Sequence, residues 1–220
     1  MITVGITGRS GCGKSTVTEV FTEKGIPCAD ADRISREILQ PGSPILPELA
    51  RRFGADILRR NEDGAIELDR RLLADRAFAT PEGTTALNAI THPEIIRRIR
   101  AAKRAARAAG QRLFLIDGAV IVGTVCEAEC DRLLVVTAPF DTSVARIVQR
   151  DGLSPQMAAR RLNAQTPQEV LISKADHLLQ NNGSLAELRA AAEQLCEQLL
   201  CAAAREAREN GRSNLKNEKN

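Results

Sequence analysis

The stretch Gly8-Arg9-Ser10-Gly11-Cys12-Gly13-Lys14-Ser15 constrains this chain most, because it fits G-x-x-x-x-G-K-[ST] at every fixed position. Glycines there let the backbone turn so that successive N–H groups point into one concavity suited to phosphates. A helix beginning directly afterwards aims its positive end at the same place. Lys14 then reaches the outer phosphates, and the Ser15 hydroxyl is a ligand for Mg2+. The competing reading, a glycine-rich turn ahead of any helix, does not suit the context. Ile2 to Ile6 is a short apolar run that reads as a buried strand, and Lys14 to Glu23 has helical spacing with Val17, Val20 and Phe21 on one face. The loop therefore stands between a strand and a helix, as phosphate binding requires.

Gly25 stops that helix, and Ile26 to Ala29 predicts a second strand, completing a βαβ unit and hence a parallel sheet. After the turn Pro41-Gly42-Ser43-Pro44, the region to about residue 110 reads as mainly helical. Helix starts are expected at Thr80-Pro81-Glu82 and, as a capping box, at Thr91-His92-Pro93-Glu94. Gly110 ends the second of these helices. Arg112 to Asp117 and Leu133 to Thr137 read as buried strands, and Asp141 to Arg150 as a helix closed by Asp151-Gly152. Ser154-Pro155 opens a helix to about Gln165, and Ala175 to Gln180 is the last strand. A capping box from Ser184 to Glu187 starts a helix to about residue 207, and 208–220 read as a polar, flexible tail.

Composition narrows the partners. The 220 residues suffice for one domain, and 43% hydrophobic with 27% charged content is that of a globular protein. There are five Phe, no Trp and no Tyr, so few rings exist on which a single-stranded nucleic acid would stack. The net charge of +3 does not call for a polyanion. No apolar run approaches the roughly 18 residues of a membrane span, and Met1 leads straight into the motif without a signal-peptide pattern. A cytoplasmic address is expected, with no nucleic acid and no membrane as partner. The six cysteines form no Cys-x-x-Cys pair, which together with only His92 and His177 disfavours zinc and suits free thiols.

Several residues carry two readings. Asp30-Ala31-Asp32 ends the second strand, where functional groups of parallel sheets gather. A carboxylate there can accept the proton of an attacking hydroxyl, or simply cap the next helix. Arg146, Arg150, Arg160 and Arg161 can stabilise charge on transferring phosphoryl oxygens from a mobile lid, or form a solvated helix face. Arg97, Arg98, Arg100, Lys103, Arg104 and Arg107 fall opposite Ile95, Ile96, Ile99 and Ala102, which favours a solvated face. His92 reads first as part of a helix start.

Taken in order, these segments resemble the dephospho-CoA kinase family. The resemblance runs from Ile2 to about Gly183 and includes Gly8 to Thr16, Gly25-Ile26-Pro27, Asp30-Ala31-Asp32 and Gln40-Pro41-Gly42. It continues through Leu87-Asn88 with His92-Pro93, Arg146, Gln149-Arg150-Asp151, Arg161 with Gln165, Ala175-Asp176 and Asn181-Asn182-Gly183. It implies an α/β, three-layer P-loop kinase fold with a parallel sheet. A single domain over 1–207 would hold a helical acceptor-binding insertion at about 33–110 and a lid at about 146–165.

The implied reaction is phosphorylation of the ribose 3′-hydroxyl of dephospho-CoA by ATP with Mg2+. By that resemblance Asp32 is the general base, and Lys14 and Arg146 are catalytic beside it. Gly8, Gly11, Cys12, Gly13, Lys14, Ser15, Thr16 and Arg150 bind ATP, Ser15 also meeting the metal. Asp30, His92, Asp117 and Arg161 serve the acceptor, and Arg161 also helps to steady the phosphoryl group.

The chain departs from the family pattern in two places. Arg9 and Cys12 replace the common Gly and Ser of the phosphate loop. After Asp117-Gly118, the usual Pro-Leu-Leu-Phe-Glu is replaced by Ala119-Val120-Ile121-Val122-Gly123, without proline or terminal glutamate. That change bears on the acceptor rather than on ATP. Two other functions remain open: a P-loop kinase for another small hydroxyl or nucleotide acceptor, and an ATP-binding switch without turnover. No Asn-Lys-x-Asp segment is present for guanine.

Overall fold

The computed structural model describes residues 1–61 and 64–217, with side chains through Glu209. In chain order the elements are β1 (Ile2–Thr7), α1 (Lys14–Glu23), β2 (Cys28–Asp30), α2 (Ala31–Glu37), α3 (Leu46–Phe53), β3 (Leu58–Arg60), β4 (Ile66–Leu68), α4 (Arg70–Ala77) and α5 (Pro81–Ala108). They continue with β5 (Leu113–Asp117), β6 (Arg132–Thr137), α6 (Phe140–Asp151), α7 (Pro155–Asn163), α8 (Gln168–Lys174), β7 (His177–Gln180) and α9 (Leu185–Asn217). The chain divides into two compact units, Met1–Ala29 with Lys103–Asn220, and Asp30–Ala102.

In the first unit, five strands form one sheet in the order β2-β5-β1-β6-β7. β1 pairs in parallel with β5 and β6, and β6 with β7. A central strand of a parallel sheet has its edges paired and both faces covered by the crossover connections, which is why Ile2–Thr7 is buried throughout. From β1 the chain goes to β2 and β5 on one side, and then crosses over β1 to β6 and β7 on the other. Open parallel sheets bind ligands at such a reversal, beyond the strand carboxyl ends. The phosphate loop stands there.

One face of this sheet is covered by α1 and α9. Val17, Val20 and Phe21 of α1 meet Leu188, Ala192, Leu195, Cys196 and Leu199 of α9 over Ile2, Val4 and Ile6. Burying a side chain such as Phe21 contributes about 1.5–3 kcal/mol. The capping box at the start of α9 is formed: Ser184 Oγ accepts from the Glu187 N–H at 3.2 Å, and Glu187 accepts from the Ser184 N–H at 2.7 Å. The helix runs to Asn217 instead of ending near residue 207, and 218–220 lie outside the described residues.

The second unit corrects the sequence reading twice. Within the mainly helical segment, β3 and β4 form an antiparallel hairpin, with Leu58 opposite Leu68. Three-residue strands of mostly exposed residues leave no periodic trace in a sequence. The capping box expected at Thr91 is absent, because α5 passes through Pro93 without a break. Thr91 Oγ1 donates instead to the Leu87 carbonyl at 2.9 Å. Glu94 turns to Arg97, at 2.6 and 2.7 Å, and to Arg98 at 3.0 Å. An interior proline costs a helix about 3 kcal/mol; burial of Ile95 and Ile99 together with the Glu94 pairs offsets it. In the first unit, the sequence reading also passes over α8, whose seven residues are too few to show a helical period.

Candidate active site

The phosphate loop is a set of backbone requirements before it is a set of side chains. Gly11 has φ of +79°, and a Cβ there would lie 2.6 Å from the Ser143 carbonyl oxygen of α6. Only glycine meets both conditions. Gly13 caps α1 with no side-chain hydrogen bond, so the first-turn N–H groups are left to an anion. Cys12 is 2% exposed, and burial pushes its thiol pKa up. The thiol therefore stays neutral, and its backbone N–H is spent inside the loop on the Arg9 carbonyl at 3.1 Å.

Lys14 points to the carboxyl end of β5, where its ammonium forms an ion pair with Asp117. Thr18, one turn along α1, donates to the other Asp117 oxygen at 2.9 Å. The sequence reading puts Asp117 at the acceptor; its carboxylate is held by Lys14 and Thr18. These hard oxygen donors, with the exposed Ser15, fit a Mg2+ ion that takes its remaining ligands from phosphate and water. Among the described residues no cluster of three His, Cys, Asp or Glu would hold a metal unaided.

The four arginines divide. Arg146 reaches the loop, where Nη1 donates to the Gly11 carbonyl at 3.1 Å and Nη2 to Asn181 Oδ1 at 3.4 Å. Arg150 and Arg161 both bind Asp151, at 2.7 and 2.9 Å and at 2.7 Å, and hold its carboxyl below the ordinary range. Arg160 is exposed on α7.

The sequence reading misses a second set of contacts. The Ser10 N–H donates to Gln165 Oε1 at 2.9 Å, and Gln165 Nε2 returns a bond to Ser10 Oγ at 2.8 Å. Arg9 donates to the Leu162 carbonyl and lies over the Phe140 ring, 5.9 Å from its centroid. The variable positions of the loop thereby grip the end of α7. Beside them opens a cavity of about 370 Å3 lined in part by Arg9, Pro139, Phe140, Leu162, Ile172 and Asn182. The signal is present only as the spaced pair Arg161 and Gln165, whose target no local pattern reveals.

The other candidates belong to the second unit. Asp30 takes the capping role, its Oδ1 accepting from the Arg33 N–H at 2.7 Å. Asp32 occupies the first turn of α2 and is half-buried. His92 is half-buried within α5, and burial lowers its pKa, which favours the neutral ring. Next to it Glu94, 8% exposed, has its pKa lowered to about 2 by Arg97 and Arg98.

The loop after Asp117 is tied from several sides. The Gly118 N–H donates to the Ile6 carbonyl at 3.2 Å, and Thr7 Oγ1 to the Ala119 carbonyl at 3.2 Å. Where the family pattern would carry a glutamate, the Gly123 N–H meets Glu127 at 2.6 Å, and Glu127 pairs with Lys174 at 3.3 Å.

Comparison with known proteins adds the family. The family model described as dephospho-CoA kinase matches residues 2–187. A dephospho-CoA kinase of Corynebacterium glutamicum is 40% identical over 190 residues, covering 86% of this chain and 95% of its own. One from Syntrophotalea carbinolica is 37% identical, covering 86% of this chain and 88% of its own. The crystal structure of TT1252 from Thermus thermophilus superposes with a TM-score of 0.72 at 32% identity, over 89% of this chain and 97% of that one. The dephospho-CoA kinase from Campylobacter jejuni gives 0.58 at 26% identity, over 90% and 96%.

Proposed function

The chain belongs to the dephospho-CoA kinase family, and on that premise we propose that it transfers the γ-phosphoryl group of ATP to the ribose 3′-hydroxyl of dephospho-CoA. The product is coenzyme A, and the step is the last of its synthesis. The observation that carries this reading is the family match over residues 2–187 on a chain whose phosphate loop is intact. A cytoplasmic address is part of the same reading; among the described residues no helix is long and apolar enough to cross a membrane.

The roles follow from charge and proton flow. The loop from Gly8 to Thr16 holds the phosphates through backbone N–H groups other than those of Ser10 and Cys12, and Lys14 and Arg146 balance charge on the transferring group. Arg150 joins them at the nucleotide and Arg161 at the acceptor side. Ser15 would hold Mg2+, which when bound draws negative charge from the phosphate oxygens. Asp32 takes the proton of the attacking hydroxyl, while Asp30 caps α2. Asp30, His92 and Asp117 complete the acceptor contacts. The cavity beside Arg9 and Asn182 is large enough for a nucleobase.

The test is ADP release from ATP and Mg2+ across dephospho-CoA, adenosine, AMP and shikimate. Turnover confined to dephospho-CoA is expected. Preference for another acceptor would make this a P-loop kinase of different specificity, and ATP binding without turnover would make it a switch.

A further inference from the structure

Asn181 follows β7 directly and is 4% exposed, with its backbone N–H and both side-chain polar atoms engaged. Its N–H donates to the Thr137 carbonyl at 2.7 Å, and Nδ2 donates to the Cys12 carbonyl at 2.9 Å. Oδ1 accepts from Arg146 at 3.4 Å, while Arg146 also donates to the Gly11 carbonyl at 3.1 Å. Two consecutive carbonyls of the phosphate loop are therefore held by donors from outside it.

This bracing has a directional consequence. In a trans peptide the carbonyl and the following N–H point in opposite directions. Holding the Cys12 carbonyl toward Asn181 turns the Gly13 N–H away from it. The N–H of Cys12 is already used inside the loop, by the Arg9 carbonyl at 3.1 Å. The space that Asn181 needs is the space a side chain at position 13 would fill: a Cβ there would lie 2.4 Å from Nδ2 and 3.0 Å from Leu188 Cδ2.

We infer that Asn181 is a positioning residue for phosphoryl transfer: it fixes the peptide plane between Cys12 and Gly13 and holds Arg146 against the phosphate loop. The amide does two opposite things at once, donating to a carbonyl and accepting from a guanidinium. Among side chains of this size only an amide does both from two separate atoms. The inference rests on the phosphotransferase reading above, and it makes Asn181 act through the loop rather than on the nucleotide.

Two variants test it. Asn181→Asp keeps the size and the acceptor for Arg146 but sets an oxygen against the Cys12 carbonyl; Asn181→Ala removes both interactions. Each should raise the Kd for Mg-ATP, and the Ki of inorganic tripolyphosphate as a competitor of ATP, by about tenfold or more. The KM for dephospho-CoA at saturating ATP should stay within about twofold, since nothing in this bracing touches the acceptor. The aspartate variant should be at least as impaired as the alanine variant. A packing role would reverse that order, because aspartate fills the space that alanine leaves empty.

Affinities within about twofold of wild type, or a better aspartate than alanine variant, would overturn the inference. Should the aspartate variant not fold, Asn181→Ala and Arg146→Ala decide. Each should weaken tripolyphosphate, and the double variant should lose less than the product of the two losses. Independent, fully multiplying losses would contradict a shared brace. Failure of the wild type to use dephospho-CoA would count against the acceptor assignment and leave the tripolyphosphate comparison intact.

Discussion

The ammonium of Lys14 and the carboxylate of Asp117 form an ion pair at the carboxyl ends of β1 and β5, with side chains only 18% and 14% exposed. The phosphate-loop lysine is thus held in place by its own strand layer. Removing it has two separable effects. Lys14→Ala should abolish turnover, because the transferring group loses its principal cation. It should also lower stability by about 1–3 kcal/mol, because Asp117 keeps only the Thr18 hydroxyl and loses its cation. Adding Asp117→Asn to Lys14→Ala should restore part of the lost Tm and none of the turnover. Turnover of Lys14→Ala within about threefold of wild type would remove the loop from the reaction.

Asp32→Asn should lower kcat by roughly 100-fold or more and leave ATP affinity near wild type, as expected when a general base is lost. Asp30→Asn should do much less, since asparagine caps a helix about as well as aspartate. Steady-state kinetics with varied ATP and dephospho-CoA separates the two. If Asp30 proves the more costly position, the assignment of base and cap is reversed.

Asp30 and Asp32 also show how much of the site the sequence carries. The turn, the helix start and the lysine of the loop Gly8 to Ser15 are legible because their chemistry is local and spacing alone fixes them. The two readings of the aspartates are not separable from sequence, since cap and base use the same residue type at the same strand end; the hydrogen bond from Arg33 to Asp30 identifies the cap. Asn181, Gln165 and Glu127 act on residues 169, 155 and 4 positions away in sequence. The two long-range contacts depend on how the strands are ordered in the sheet, which no local pattern encodes. Thr91 and Pro93 do not start a helix for a related reason: side chains packed along α5 outweigh a local stop signal.

Glu94 predicts a pH signature. Its folded pKa of about 2 lies below its ordinary value of 4.5. Its contribution to stability is therefore fully present above the ordinary value and is lost as pH falls from there toward the folded value. Glu94→Gln should cost on the order of 2 kcal/mol at neutral pH. Urea unfolding of both proteins should show this gap narrowing by about 1 kcal/mol at a pH near 4. A gap that widens on acidification would contradict the Glu94–Arg97–Arg98 cluster.

The loop from Ala119 to Gly123 concerns the acceptor. Gly123 has φ of +77° and open space where a Cβ would stand, so a glutamate there fits but carries backbone strain of roughly 1–2 kcal/mol. Ala119→Pro with Gly123→Glu should lower the KM for dephospho-CoA and leave that for ATP unchanged, at some cost in Tm. No change in either KM would mean that the loop is structural and that the acceptor is held elsewhere.

The most direct measurement is phosphorus NMR of the product formed from dephospho-CoA, ATP and Mg2+. The expected spectrum has one new phosphomonoester, on the ribose 3′ oxygen, appearing in step with ADP and identical to that of coenzyme A. ADP formed with inorganic phosphate alone, or a monoester at any other position, would contradict the assignment.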